Sequence, residues 1–228
     1  MTAAYPKHSP RPPVAGSVTY LLLNLPAGIA GFVLLVTLGS VGVSTVIIWV
    51  GVPVLMLAIL LARAFAEVER ARVHALLGTY IARPYRPLPD GGQKLRWKAR
   101  LSDTSTWRDI CYLLLLFPVG IAEFVLVVTL WAVSLGLLAL PVYYRYLPEG
   151  AYFFPSYDLR WITVDSVTTA LPWAALGVLL LVATVAFTRG MAGAHARFAR
   201  LLLGPTSAMT PAAEAVGAGH VTPRPVAE

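Results

Sequence analysis

Residues 112–130 read YLLLLFPVGIAEFVLVVTL, and residues 20–38 read YLLLNLPAGIAGFVLLVTL. Laid over each other without a gap, at an offset of 92, they are identical at 14 of 19 positions. Two unrelated apolar segments do not share that much by composition alone, so the chain carries an internal repeat. Each copy lies in an apolar run long enough to cross a ~30 Å hydrocarbon layer, which takes about 20 helical residues. The sharpest difference between the copies is Gly31 against Glu123, which places a carboxyl group inside the second run.

The rest of the composition agrees with a membrane protein. The chain has 228 residues, of which 57% are hydrophobic and 13% charged, and its mean hydropathy is +0.71. A soluble domain does not have this balance. Cys111 is the single cysteine, so no internal disulfide forms, and no His/Cys cluster has metal-ligand spacing. No metal or cofactor is expected. A net charge of +7 would suit nucleic acid, but the charges flank apolar runs, where basic side chains meet anionic headgroups. The expected partner is the lipid bilayer, with no nucleic acid. A hydrolase triad, nucleophile elbow, zinc helix or phosphate loop is absent from the sequence, so no catalytic residues are assigned and no enzyme activity is expected.

In chain order, residues 1–16 read as a disordered Pro-rich cytoplasmic tail. Spans follow at about 17–38 and 43–64, joined by a turn at Gly39-Ser40-Val41-Gly42. The second helix is expected to continue out of the membrane with Phe65, Val68, Val73, Leu76 and Leu77 on one apolar face. A cytoplasmic link occupies 65–109, and its 95–101 strip, LRWKARL, suits an anionic surface. Thr106 and Asp109 have capping-box spacing around Trp107 and Arg108, and these four residues form a membrane-boundary anchor. Spans at about 110–140 and 167–187 enclose an outer loop, 141–166, and residues 205–228 form a second disordered tail. The fold class is all-α, an integral membrane four-helix bundle made of two tandem, parallel-related hairpins over residues 17–204. Of the 18 Lys and Arg only Arg145 and Arg160 lie in the outer loop. That asymmetry predicts a multi-pass protein of the plasma membrane with both termini cytoplasmic.

Two sets of residues are candidates for function. Counted along the helix from Asp109, Glu123 should lie roughly 20 Å into the core, past the midplane, and so face the bundle interior. Its repeat equivalent Gly31 belongs to a small-residue surface that leaves room for the carboxyl or lets a helix approach. Glu123 is then either a sensing or proton-coupling group, or a protonated carboxyl bonded to a backbone carbonyl or Thr hydroxyl. The second set is the outer-loop aromatics Tyr143, Tyr144, Tyr146, Tyr152, Phe153, Phe154, Tyr157 and Trp161. They are either a ligand surface or an interfacial aromatic belt.

The order His74-Ala75-Leu76-Leu77-Gly78, Pro84-Tyr85, Ser102-Asp103, Thr106-Trp107-Arg108-Asp109, Pro118-Val119-Gly120 and Pro141 resembles the sensor domain at the amino end of many actinobacterial two-component histidine kinases. The match covers about 17–204. It implies a four-span input module that precedes a phosphotransfer helix and an ATPase domain. Here only about two dozen residues follow Gly204, so a stand-alone signal-input module is expected. It would relay a membrane or envelope cue to a histidine kinase or transcriptional regulator, and a homo-oligomer is a further expected state. The alternatives are a small proton-coupled transporter-like protein and a membrane scaffold.

Overall fold

A computed structural model describes residues 12–85 and 92–205. The two expected tails lie outside the described residues except at 12–16 and 205. The helices are α1 (Val14–Ser44), α2 (Gly51–Leu77), α3 (Gln93–Ser102), α4 (Thr104–Tyr143) and α5 (Val167–Leu203). The strands β1 (Tyr152–Phe154) and β2 (Ile162–Val164) form an antiparallel pair in which Phe153 opposes Thr163. The fold is all-α apart from this hairpin. α1, α2, α4 and α5 are each long and apolar enough to cross a membrane.

Boundaries move where local chemistry overrides the pattern. The turn expected at Gly39–Gly42 is helical, because α1 runs on to Ser44. Reversal comes later, at a 3-10 turn over Val46–Ile48 and a left-handed Trp49. Pro53 therefore falls in the first turn of α2, where a missing N–H costs nothing and no kink follows. The 95–101 strip is part of α3. The expected capping box is replaced: Asp103 is the N-cap of α4 and accepts from the Ser105 N–H at 3.0 Å. Thr106 instead donates to the Arg100 carbonyl at 3.0 Å. α2 closes on Gly78, whose φ of 65° only a residue without Cβ adopts freely.

The two hairpins, α1–α2 and α4–α5, meet through glycine. A Cβ added to Gly28 would lie 2.8 Å from the Leu116 carbonyl oxygen, and one added to Gly120 2.7 Å from that of Asn24. Adding 92 converts Gly28 to Gly120 and Asn24 to Leu116, so this is one contact made reciprocally. Only glycine admits backbones this close. Gly31 meets Leu113, whose Cδ2 would lie 3.4 Å from an added Cβ. Helices lying side by side in repeat register would hold Gly31 and Leu113 about 15 Å apart along the axis. α1 and α4 therefore cross, and their partners run in opposite numerical order.

Polar contacts tie the exits of the two hairpins together, while the start of α4 also lies against the far half of α1 and the start of α2, where Trp107, Ile110 and Leu114 share a groove with Leu35, Gly39 and Ala58. Gly16 packs on the Leu76 carbonyl, Arg108 bonds the carbonyls of Leu201 and Gly204, and Arg70 reaches both Asp109 and Leu203. The core at this end contains Tyr20, Leu21, Ala66, Val73, Tyr112, Leu113, Leu116 and Ala199. Elsewhere large apolar side chains face outward, among them Val33, Leu179 and Val182. That surface suits lipid and not water.

Candidate functional site

The apolar runs of α1 and α4 each begin at a tyrosine, and both tyrosines are fully buried where the hairpins meet. The α2 exit helix buries most of the apolar face expected of it, Val73 and Leu77 fully and Phe65 and Leu76 in part. Val68 is 58% exposed, whereas Ala62, Ala66, Glu69, Arg70, Val73 and Leu77 point inward. The 3.6-residue period holds, and the buried face also carries two charges, Glu69 and Arg70.

Glu69 is the centre of the first cluster. Tyr20 and Tyr112 both donate to its Oε1, at 2.5 and 3.0 Å, and Arg72 pairs with its Oε2. Arg72 also donates to Asn24 Oδ1 at 3.1 Å. The Asn24 amide turns its Nδ2 to Glu123 Oε2 at 2.6 Å. Glu123 Oε1 lies 2.7 Å from His195 Nδ1, and His195 Nε2 lies 3.1 Å from the Tyr112 hydroxyl. The result is a closed loop through all four long helices, made of Tyr20 and Asn24 of α1, Glu69 and Arg72 of α2, Tyr112 and Glu123 of α4, and His195 of α5.

Donor counting assigns its protons. The Tyr112 hydroxyl has one hydrogen, and while that hydrogen bonds Glu69, His195 Nε2 must donate to the phenol oxygen. The His195 Nδ1–Glu123 Oε1 contact shares one further hydrogen, and whether it sits on the ring or on the carboxyl the pair sums to zero charge. Glu69 and Arg72 form the second balanced pair. A neutral sum is what burial requires, because an unbalanced charge in low dielectric costs several kcal/mol. The Tyr112 hydroxyl lies within reach of both Glu69 Oε1 and His195 Nε2 and has one hydrogen to give. The loop thus has two hydrogen-bonded arrangements, set by which of the two receives it.

A second cluster ties the exits together. Arg70 donates from Nη2 to Asp109 Oδ1 at 2.9 Å and from Nε to the Leu203 carbonyl at 3.1 Å. Tyr85 donates to Asp109 Oδ2 at 2.7 Å. Burial first, and then the Asp109 carboxylate, push Tyr85 up to about 12, which keeps it a protonated donor. Arg70 thereby satisfies one of the carbonyls left open at the end of α5.

The expected residues fall into three groups. Glu123 faces the interior as expected, but its partners are His195 and Asn24, not a backbone carbonyl or a Thr hydroxyl. It is level with the basic exit of α5, so counting from Asp109 misplaced its surroundings. Gly31 packs on Leu113 and does not accommodate the carboxyl. Of the boundary anchor only Trp107 is exposed. Asp109 is wholly buried against Arg70, and Arg108 holds the end of α5. Among the aromatics, Phe154 stacks on Trp173 at 3.9 Å, Phe153 meets Tyr157 edge to face at 5.2 Å, and Tyr143, Tyr144 and Tyr152 pack on Leu140, Val164 and Ala170. Tyr146 and Trp161 remain mostly exposed. Glu69, Arg70, Arg72 and His195 were not foreseen as site residues. One signal could have found two of them: when the Leu-Leu-Gly ends of α2 and α5 are superposed at an offset of 126, Glu69 coincides with His195.

A family model described as "Putative sensor" matches residues 20–203. The chain belongs to this sensor family. The match begins at Tyr20 and ends at Leu203, so it spans the four long helices and both polar clusters. No curated protein and no solved structure is matched by the chain.

Proposed function

We propose that the chain is a non-enzymatic signal-input unit of the plasma membrane. It responds to a membrane or envelope cue and relays that cue through its α2 and α5 exits to a cytoplasmic or membrane partner, a histidine kinase or transcriptional regulator. The observation that supports this reading is the neutral polar loop through Glu69, Glu123 and His195. Buried between two duplicated, crossing hairpins, it is a contact with two arrangements, and a bistable contact converts a small perturbation into helix movement. Exposed positions on the exits, Val68 and Leu201, are where a partner would read that movement.

The test is photo-crosslinking in native membranes from probes at Val68 and Leu201. The expected capture is a kinase or transcriptional regulator, with a yield that changes severalfold in His195→Gln at equal protein level. Capture of envelope-assembly proteins alone, or a yield indifferent to His195, would overturn the reading.

The Glu123–His195–Tyr112–Glu69 line also favours a second reading, a proton-coupled transporter, because each link is a hydrogen bond able to pass a proton. Proton flux into liposomes that is abolished by Glu123→Gln would select it.

A further inference from the structure

On the outer side of α5, away from the polar loop, a groove of about 510 Å³ opens between Pro12, just before α1, and the helix face carrying Arg189, Gly190, Gly193 and Arg197. Arg189, Gly193 and Arg197 follow one another at intervals of four, so they share a stripe. A Cβ added at Gly190 or Gly193 would meet nothing within 4 Å. The glycines leave the floor of the groove open between two guanidinium groups. The Nε of Arg189 is buried without a hydrogen-bond partner. Among the described residues neither arginine has an ion-pair partner. A buried guanidinium N–H left unbonded is unfavourable, the more so on a charged group, so the geometry lacks an acceptor.

We propose that this groove binds an anionic phosphate group. Two guanidinium groups offer the forked donor geometry that phosphate oxygens accept. The apolar run of α5 ends at Phe187, two residues before Arg189, which is the level of a lipid headgroup. The phosphate would come from an anionic phospholipid or from a soluble phosphate, and the site does not depend on the signal-input reading.

The experiment uses the full chain in neutral detergent micelles, with phosphatidylglycerol titrated in and retained lipid counted by native mass spectrometry. One tightly held lipid is expected, bound about tenfold more weakly by Arg189→Gln combined with Arg197→Gln. Gly193→Phe, which fills the groove and leaves both charges in place, should weaken it to a similar degree, and Arg189→Lys should retain part of the affinity. Arg200→Gln, at an exposed position outside the groove, should change nothing. Retention unaffected by millimolar inorganic phosphate assigns the site to lipid, and competition by inorganic phosphate assigns it to soluble phosphate. The proposal fails if the groove variants bind both phosphatidylglycerol and inorganic phosphate as the wild type does, or if Arg200→Gln weakens binding equally.

Discussion

At the scale of single residues, the energetics of the Glu123–His195 pair follow from burial. Both side chains are almost wholly enclosed, so removing one leaves the other buried without its partner, which for an ion pair costs about 3–5 kcal/mol. Replacing both with apolar groups removes the polar groups and their desolvation cost together. Glu123→Leu and His195→Leu should each lower the unfolding midpoint in detergent markedly, while the double variant should be less destabilised than the sum of the two. Strict additivity in that double-mutant cycle would show that the pair is not coupled. Glu123 was legible in the sequence because a carboxyl in an apolar run has few places to go. His195 was not, because it sits in RGMAGAHARFAR among arginines that resemble a solvated exit. Arg70 and Arg72 were hidden in the same way: read as positive-inside charges, they are structural because carboxylates of α2 and α4 meet them inside the bundle.

At the scale of helices, the four apolar runs announced themselves through hydropathy and length, and the repeat announced two hairpins. The crossing of α1 and α4 was not readable, since the same small residues would serve a side-by-side pair. Their placement in three dimensions distinguishes the glycines. Gly28 and Gly120 have facing backbone within 3 Å of any added Cβ, whereas Gly31 meets only the side chain of Leu113. Gly28→Ala and Gly120→Ala should therefore force α1 and α4 apart and each cost about 1–3 kcal/mol, the range for overpacking. Gly39→Ala, which faces open space, should be neutral or stabilise by about 0.5–1 kcal/mol through helix propensity. Thermal unfolding monitored by circular dichroism in one detergent ranks the three variants. A Gly120→Ala protein as stable as Gly39→Ala would contradict the close approach.

At the scale of the whole molecule, both polar clusters lie at the end where polar contacts tie the hairpin exits together, and the cross-hairpin contact beyond them is apolar or glycine. The start of α1 packs on the end of α2, the start of α4 is held to the end of α5, and Arg70 joins the two sets. On the orientation expected from the charge asymmetry, that end faces the cytoplasm. The opposite end offers the β1–β2 hairpin, whose Arg160 is bonded through both Nη atoms to Glu149 at 3.0 Å. This loop pair is exposed and adds little to stability, but it gives the outer surface a defined shape. Single cysteines introduced at 75, 201 and 161 in a Cys111→Ser background test the arrangement, because none of these positions belongs to either polar cluster. An impermeant maleimide applied to intact cells should label position 161 only, and labelling at 75 and 201 should appear together once the membrane is opened. Labelling of 75 and 201 from opposite sides would separate the two exits, and with them the route by which a change at Glu123 and His195 reaches both helices at once.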